Sequence, residues 1–158
     1  MILTTPDQRR ELLERSHKVA MVGASANPQR PSYFVLRYLS THGFAVGPVN
    51  PAYQSIDGVK CFPTLAAYAA ENGPPDIVDV FRKPEEAPQV ARDAIAAGAK
   101  AIWFQYGVVN DEAIRIADDA GLAVVVDRCM KVEHARFSGG LTISGMNSGV
   151  LTSKRRTL

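Results

Sequence analysis

The sequence predicts a doubly wound α/β domain, a largely parallel sheet with helices on both faces. Three observations predict it. Short runs such as 18–23, 77–81, 101–105 and 123–127 are apolar at successive positions, as strands buried on both faces must be. Between them lie stretches whose apolar residues recur at helical spacing. Glycine, proline and asparagine punctuate the joints, so strand and helix alternate along the whole chain.

The elements follow in order. Thr5-Pro6-Asp7-Gln8 reads as a capped helix start, with Pro6 suited to the first helical position and Gln8 completing a capping box; Leu12 and Leu13 mark its apolar side. A strand at 18–23 ends in the turn-rich run 24–31. A helix at 32–41 carries Val35, Leu36 and Leu39 on one side, and His42-Gly43 ends it. The strand 45–49 is stopped by Asn50-Pro51. A loop through Asp57-Gly58 leads to a brief extended piece at 59–61 and a helix at 64–70. After the strand 77–81, Pro84-Glu85-Glu86 opens a helix whose first-turn acids suit its dipole; Val90, Ala91, Ala94 and Ile95 keep helical spacing up to Gly98. The strand 101–105, a helix capped by Asn110 and ended by Gly121, the strand 123–127 and a helix at 129–137 complete the set. This is a three-layer α/β/α arrangement of Rossmann type, in which ligands bind beyond the carboxyl ends of the strands. The loops 23–31, 50–55, 81–84, 105–110 and 127–131 are therefore where function is expected.

Composition narrows the choice. The 158 residues are 46% hydrophobic with a net charge of +2, which suits one globular domain rather than a disordered chain. No apolar run approaches the length of a membrane span, and the first residues lack a signal-peptide pattern, so a cytoplasmic protein is expected. Cys61 and Cys129 form no CxxC and stand at no metal-ligand spacing from a histidine, so reduced thiols are expected, with no metal. The three cations Lys154, Arg155 and Arg156 sit in a Gly/Ser/Thr-rich tail, 138–158, set off from a body at 1–137. That body holds 15 basic and 16 acidic residues, so nucleic acid is not an expected partner.

The loop after the first strand carries the chemistry. Laid on the dinucleotide fingerprint G-x-G-x-x-G, its three positions are Gly23, Ser25 and Pro28, and only the first glycine is present. Ser25 brings a hydroxyl donor and Arg30 a positive charge close to a helix start, which suits phosphate. The plain alternative is a proline-rich turn with Arg30 in solvent. A nicotinamide-binding domain places an acid at the end of the second strand to hold the ribose. This chain has Asn50-Pro51-Ala52-Tyr53 there, and its nearest acid is Asp57.

Further residues complete a pattern. Val22-Gly23-Ala24-Ser25, Pro28-x-Arg30-Pro31-Ser32-Tyr33, Pro48-Val49-Asn50-Pro51, Cys61-Phe62-Pro63-Thr64-Leu65, Asp79-Val80-Phe81-Arg82, Trp103-x-Gln105-x-Gly107-Val108 and Asp127-Arg128-Cys129-Met130-Lys131 follow in order. Over roughly 15–137 the chain resembles the stand-alone CoA-binding-domain proteins of bacteria and archaea. That family is similar to the N-terminal nucleotide-binding domain of the succinyl-CoA synthetase α-subunit. The resemblance implies coenzyme A, or an acyl-CoA, held by its ADP portion. Gly23, Ala24, Ser25 and Arg30 would face the phosphates, and Asn50, Pro51 and Tyr53 the adenosine end. Phe81 and Arg82 would form the neighbouring wall, with Gln105 and Gly107 on the pantetheine path. The synthetase's glycine-rich phosphate loop is replaced here by a Ser/Pro version.

The residues show no complete catalytic constellation, and the synthetase's ligase activity, which needs a further domain and a partner subunit, does not carry over. His17 and His42 read as structural or solvated. Cys129 and His134, five apart on a helix, make a poor nucleophile pair. Cys129 reads first as a packed thiol. Its second reading is redox: beside Arg128 and Lys131 its pKa would be lowered, allowing a mixed disulfide with the thiol of CoA. Trp103 reads as core. Asp79 and Asp127 would need to be adjacent for paired-carboxylate work. The expectation is a non-catalytic CoA carrier, sensor or regulatory module. Competing readings are an NAD(P)-binding redox module, or a ligand-free interaction module whose tail joins a second copy or a partner subunit.

Overall fold

The computed structural model describes residues 1–138; the tail at 139–158 lies outside the described residues, with any role expected for it. Five strands form one parallel sheet in the order β2-β1-β5-β6-β7. They are β1 (Lys18–Val22), β2 (Ala45–Val49), β5 (Ile77–Val80), β6 (Ala101–Phe104) and β7 (Ala123–Val126), and β3 (Ser55–Ile56) with β4 (Val59–Lys60) forms a separate antiparallel hairpin. The chain leaves β1 to one side for β2 and returns to its other side for β5, so the winding reverses between β1 and β5. That reversal is where open α/β sheets bind ligands.

Both faces of the sheet are covered, as the continuous apolar runs require. Val19, Met21, Ile77, Trp103 and Val125 pack on one face under α1 (Pro6–Glu14), α2 (Pro31–Ser40) and α6 (Met130–Phe137). Ala20, Val78, Val80, Ile102 and Val124 pack on the other under α3 (Leu65–Asn72), α4 (Ala87–Ala96) and α5 (Asp111–Asp119). The doubly wound expectation holds, and so does the reading of Trp103 as core, since it is fully buried.

Three local differences have physical causes. The helix expected from Pro84 begins as a 3-10 turn, Pro84–Glu86, because Pro88 has no N–H to give the Pro84 carbonyl. That carbonyl instead accepts Asn110 Nδ2 at 3.0 Å. The loop at Asp57-Gly58 is a hairpin turn with both residues at positive φ, 51° and 77°, the geometry that twists with its strands. Pro48 sits in β2 without loss because β2 is the outer strand there. Its carbonyl takes Phe62 N–H at 2.9 Å, and a Phe62–Val49 bridge extends the edge.

The histidines take structural positions. His17 Nδ1 meets Gly43 O at 2.9 Å, and His42 stacks on Tyr38 with centroids 3.8 Å apart. His134 Nδ1 meets the Tyr38 hydroxyl at 2.9 Å.

Candidate functional site

The reversal between β1 and β5 opens into two adjoining pockets at the carboxyl end of the sheet, with Gly23 in the wall of both. The first, about 300 Å³, is polar and lined by Gly23, Ser25, Arg30, Pro31, Ser32, Asn50 and Phe81. The second, about 370 Å³, has an apolar floor of Val22, Val49, Leu65 and Val90. Pro51 and Pro63 stand at its sides, and Thr64, Arg82, Glu86, Gln89 and Asp93 form its rim.

The polar pocket is built by the loop 23–31 and the start of α2. Gly23 N–H still donates to Val49 O at 3.0 Å, and the chain then turns through φ +88°. Ser32 is buried, and its hydroxyl accepts Ser25 N–H at 3.1 Å, which folds the loop over the helix start. Asn50 Nδ2 donates to Ala24 O at 2.9 Å, and its Oδ1 accepts Ala52 N–H at 2.9 Å. One asparagine thus fastens the loops after β1 and β2 to each other. Arg30 is the residue before α2, exposed and without an ion-pair partner among the described residues. A free guanidinium at a helix start beside a buried hydroxyl is a place for an anion.

Gly23 is required twice over. A Cβ there would run into the Phe81 carbonyl oxygen and stand 2.8 Å from Arg82 Cδ, besides the left-handed φ. Gly107 has φ +78° but open space around it. Gly23→Ala is therefore expected to cost roughly 2–4 kcal/mol, strain plus a displaced loop, and Gly107→Ala only about 1 kcal/mol. Urea unfolding of the two variants checks the contrast; equal losses would mean that the close approach of Phe81 carries no weight.

Of the residues singled out in the sequence, Gly23, Ser25, Arg30, Asn50 and Phe81 meet at the polar pocket, and Gly23, Pro51 and Arg82 at the apolar one. Four line neither pocket. Ala24 is buried. Tyr53 is half-buried against the α2 side of the core. Gln105 is buried and spends its amide on Asp79 Oδ1. Gly107 donates its N–H to Asp127 Oδ1 at 2.8 Å. The reading of the site lacked Ser32, Glu86, Gln89 and Asp93. The last three stand with Val90 at positions 86, 89, 90 and 93, one stripe of a helix, and that spacing was their signal.

Arg82 Nε lies 3.3 Å from Glu86 Oε1, so the cation at the border of the pockets is partly neutralised by its neighbour. Asp79 and Asp127 do not pair: Asp127 is exposed at φ 59°, while Asp79 is fully buried. The lowered pKa expected for Cys129 is corrected. Burial pushes its thiol up and outweighs the N–H groups of Val132 and Lys131 and the Lys131 charge.

A family model described as a CoA binding domain matches residues 17–135. The chain belongs to this CoA-binding-domain family. The family relative YneT of Bacillus subtilis (strain 168), an uncharacterised protein, is 39% identical over 126 residues, 80% of this chain and 91% of its own. A hypothetical protein from Pyrococcus horikoshii OT3 has the same fold with a TM-score of 0.82 and 43% identity, covering 86% of this chain and 94% of that one. The dinucleotide-forming acetyl-coenzyme A synthetase 1 of Ca. Korarchaeum cryptofilum is similar over 72% of this chain and 26% of its own, with a TM-score of 0.60 and 26% identity. The similar region is about a quarter of that larger protein. Among the described residues no helix is long and apolar enough to cross a membrane.

Proposed function

We propose that this CoA-binding domain holds coenzyme A or an acyl-CoA by its ADP portion across the two pockets, as a carrier, sensor or regulatory module that does not turn its ligand over. The observation that carries the reading is the pairing of a polar anion pocket with an apolar slot through the single glycine Gly23. A nucleotide diphosphate needs that pairing. The pyrophosphate would lie on Ser25, Ser32 and the start of α2 with Arg30 above it. The adenine would lie between Pro51 and Pro63 over Leu65 and Val90, its amino group within reach of the Glu86 or Asp93 carboxylate. Arg82, at the border, suits a ribose phosphate once it exchanges Glu86 for the ligand. The absence of an acid after β2 speaks against a nicotinamide nucleotide, whose ribose hydroxyls want one.

Thermal unfolding with CoA, dephospho-CoA, NAD and NADP tests the reading. CoA at about 100 times its dissociation constant is expected to add about 2.7 kcal/mol, a shift of several degrees. Dephospho-CoA is expected to give less, and the nicotinamide nucleotides none. Arg30→Ala is expected to weaken CoA roughly tenfold to a hundredfold by removing a charge-assisted contact, with the unliganded melting temperature unchanged. A shift with NAD and none with CoA would overturn the proposal.

A further inference from the structure

The charges that line the two pockets cancel. Arg30 and Arg82 are the cations, Glu86 and Asp93 the acids, so the lining is formally neutral. The two acids differ in what holds them. Asp93 Oδ1 accepts the Gln89 amide at 2.9 Å, from one turn back on α4, and the carboxylate makes no ion pair among the described residues. Glu86 reaches back over its own turn. Its Oε1 accepts Lys83 N–H at 3.4 Å and meets Arg82 Nε at 3.3 Å. One carboxylate oxygen thus closes the turn at Pro84–Glu86 and holds the guanidinium of Arg82. That guanidinium is well placed for a ligand. A Cβ on Gly23 would stand 2.8 Å from Arg82 Cδ, so the arginine stem lies across the glycine shared by both pockets.

We propose that Glu86 is a built-in competitor for the ribose phosphate of the ligand: carboxylate and phosphate contend for the Arg82 guanidinium, and Glu86 thereby sets how strongly the site prefers a phosphorylated ribose. The inference rests on the CoA reading above and gives Glu86 a part which that reading does not need. A guanidinium has donors enough for two acceptors. A carboxylate and a phosphate drawn to the same guanidinium, however, stand within about 4–6 Å of each other, where like charges disfavour one another's charged forms. A phosphate at Arg82 therefore either displaces Glu86 or is held against its charge, and both weaken binding. The cost falls only on a ligand with a phosphate there. Dephospho-CoA carries a hydroxyl at that position and leaves Arg82 with Glu86.

Exposure sets the size of the effect. The Arg82 and Glu86 side chains are 38% and 46% exposed, so water and salt screen the pair, and its removal is worth about three- to tenfold in affinity rather than more. A competitor of that strength suits the carrier or sensor role proposed above, because such a module has to release its ligand as well as hold it. Glu85 offers a control. It is the neighbouring acid in the same turn, exposed, and lines neither pocket.

Calorimetric titration of the full chain with CoA and with dephospho-CoA tests the proposal. Glu86→Gln removes the charge and keeps an oxygen to accept Lys83 N–H, so the turn should stay closed and the melting temperature unchanged. The variant is expected to tighten CoA about three- to tenfold and dephospho-CoA less than about twofold, with the gain shrinking as salt is raised. In an Arg82→Ala background the same substitution is expected to change CoA affinity by less than about twofold, because the contended cation is gone. Glu85→Gln should leave the ratio of the two affinities in place. Equal tightening of both nucleotides, an equal shift in that ratio from Glu85→Gln, or a gain that survives Arg82→Ala would overturn the competition. A parent chain that binds CoA and shows no response to Glu86→Gln overturns the competition and leaves the CoA reading standing. A parent chain that binds neither nucleotide overturns both.

Discussion

Glu133→Ala is expected to destabilise the fold by about 3–5 kcal/mol, the largest loss foreseen for a residue outside the ligand cleft. Glu133 on α6 is buried, and its Oε1 takes Arg9 Nε at 2.6 Å from α1, itself buried. Its Oε2 takes Arg136 Nη1 at 2.9 Å from one turn further along, at the surface. Removing the carboxylate leaves the Arg9 guanidinium shut away from water with no counter-charge, and that uncompensated burial sets the size of the effect. Arg136→Ala, which removes only the exposed arm, is expected to cost less than about 1 kcal/mol. The double substitution Arg9→Leu with Glu133→Leu is expected to recover most of the loss, because apolar side chains of similar reach need no partner. Urea unfolding of the three variants decides it. A Glu133→Ala loss no larger than that of Arg136→Ala would mean that the α1–α6 clasp is wet and contributes little.

Such a clasp is what sequence reading handles worst. Arg9 and Glu133 are 124 positions apart, and although Arg9 shares the helix face of Leu12 and Leu13, nothing local names the partner its charge would need. Leu12 and Leu13 were legible as the packed side of α1, because apolar side chains announce burial without needing a partner. The strands were legible for the same reason, their ends falling within about a residue of the expected ones. The polar pocket was legible through Gly23, Ser25 and Arg30, since phosphate chemistry after the first strand is a property of one loop. The apolar slot was only half legible. Pro51 and Arg82 lie at strand ends, where function was expected, whereas Gln89 and Asp93 reach it from the face of α4 and Glu86 from the turn that precedes it. Gln105 shows how a buried partner redirects a side chain. The family resemblance put it on the pantetheine path, but the side chain turns inward and gives its amide to a buried carboxylate on the next strand.

That carboxylate is the source of the second large effect. Asp79 is fully buried, and burial raises its pKa to about 7 although the Gln105 amide pulls the other way. The unfolded chain ionises this group near pH 4, so between about pH 4 and 7 the folded state holds a proton that the unfolded state has released. Stability from this group therefore falls as pH rises through that window, the reverse of an ion-paired aspartate. The total is about 4 kcal/mol if each pK unit is worth about 1.4 kcal/mol, complete above pH 7. Asp79→Asn keeps the shape and the acceptor for Gln105 and cannot ionise, so its stability is expected to lack this fall. The amide nitrogen placed where Oδ2 stood adds a cost that does not vary with pH, so it cancels when each protein is compared with itself. His134, held below its ordinary pKa by burial and then by His42, slopes the other way in both proteins and cancels between them. Urea unfolding of the two proteins at pH 5 and pH 8 should therefore show Asp79→Asn gaining about 2–3 kcal/mol on the parent between the two. Parallel curves would mean that water reaches Asp79 and that its carboxyl is an ordinary one.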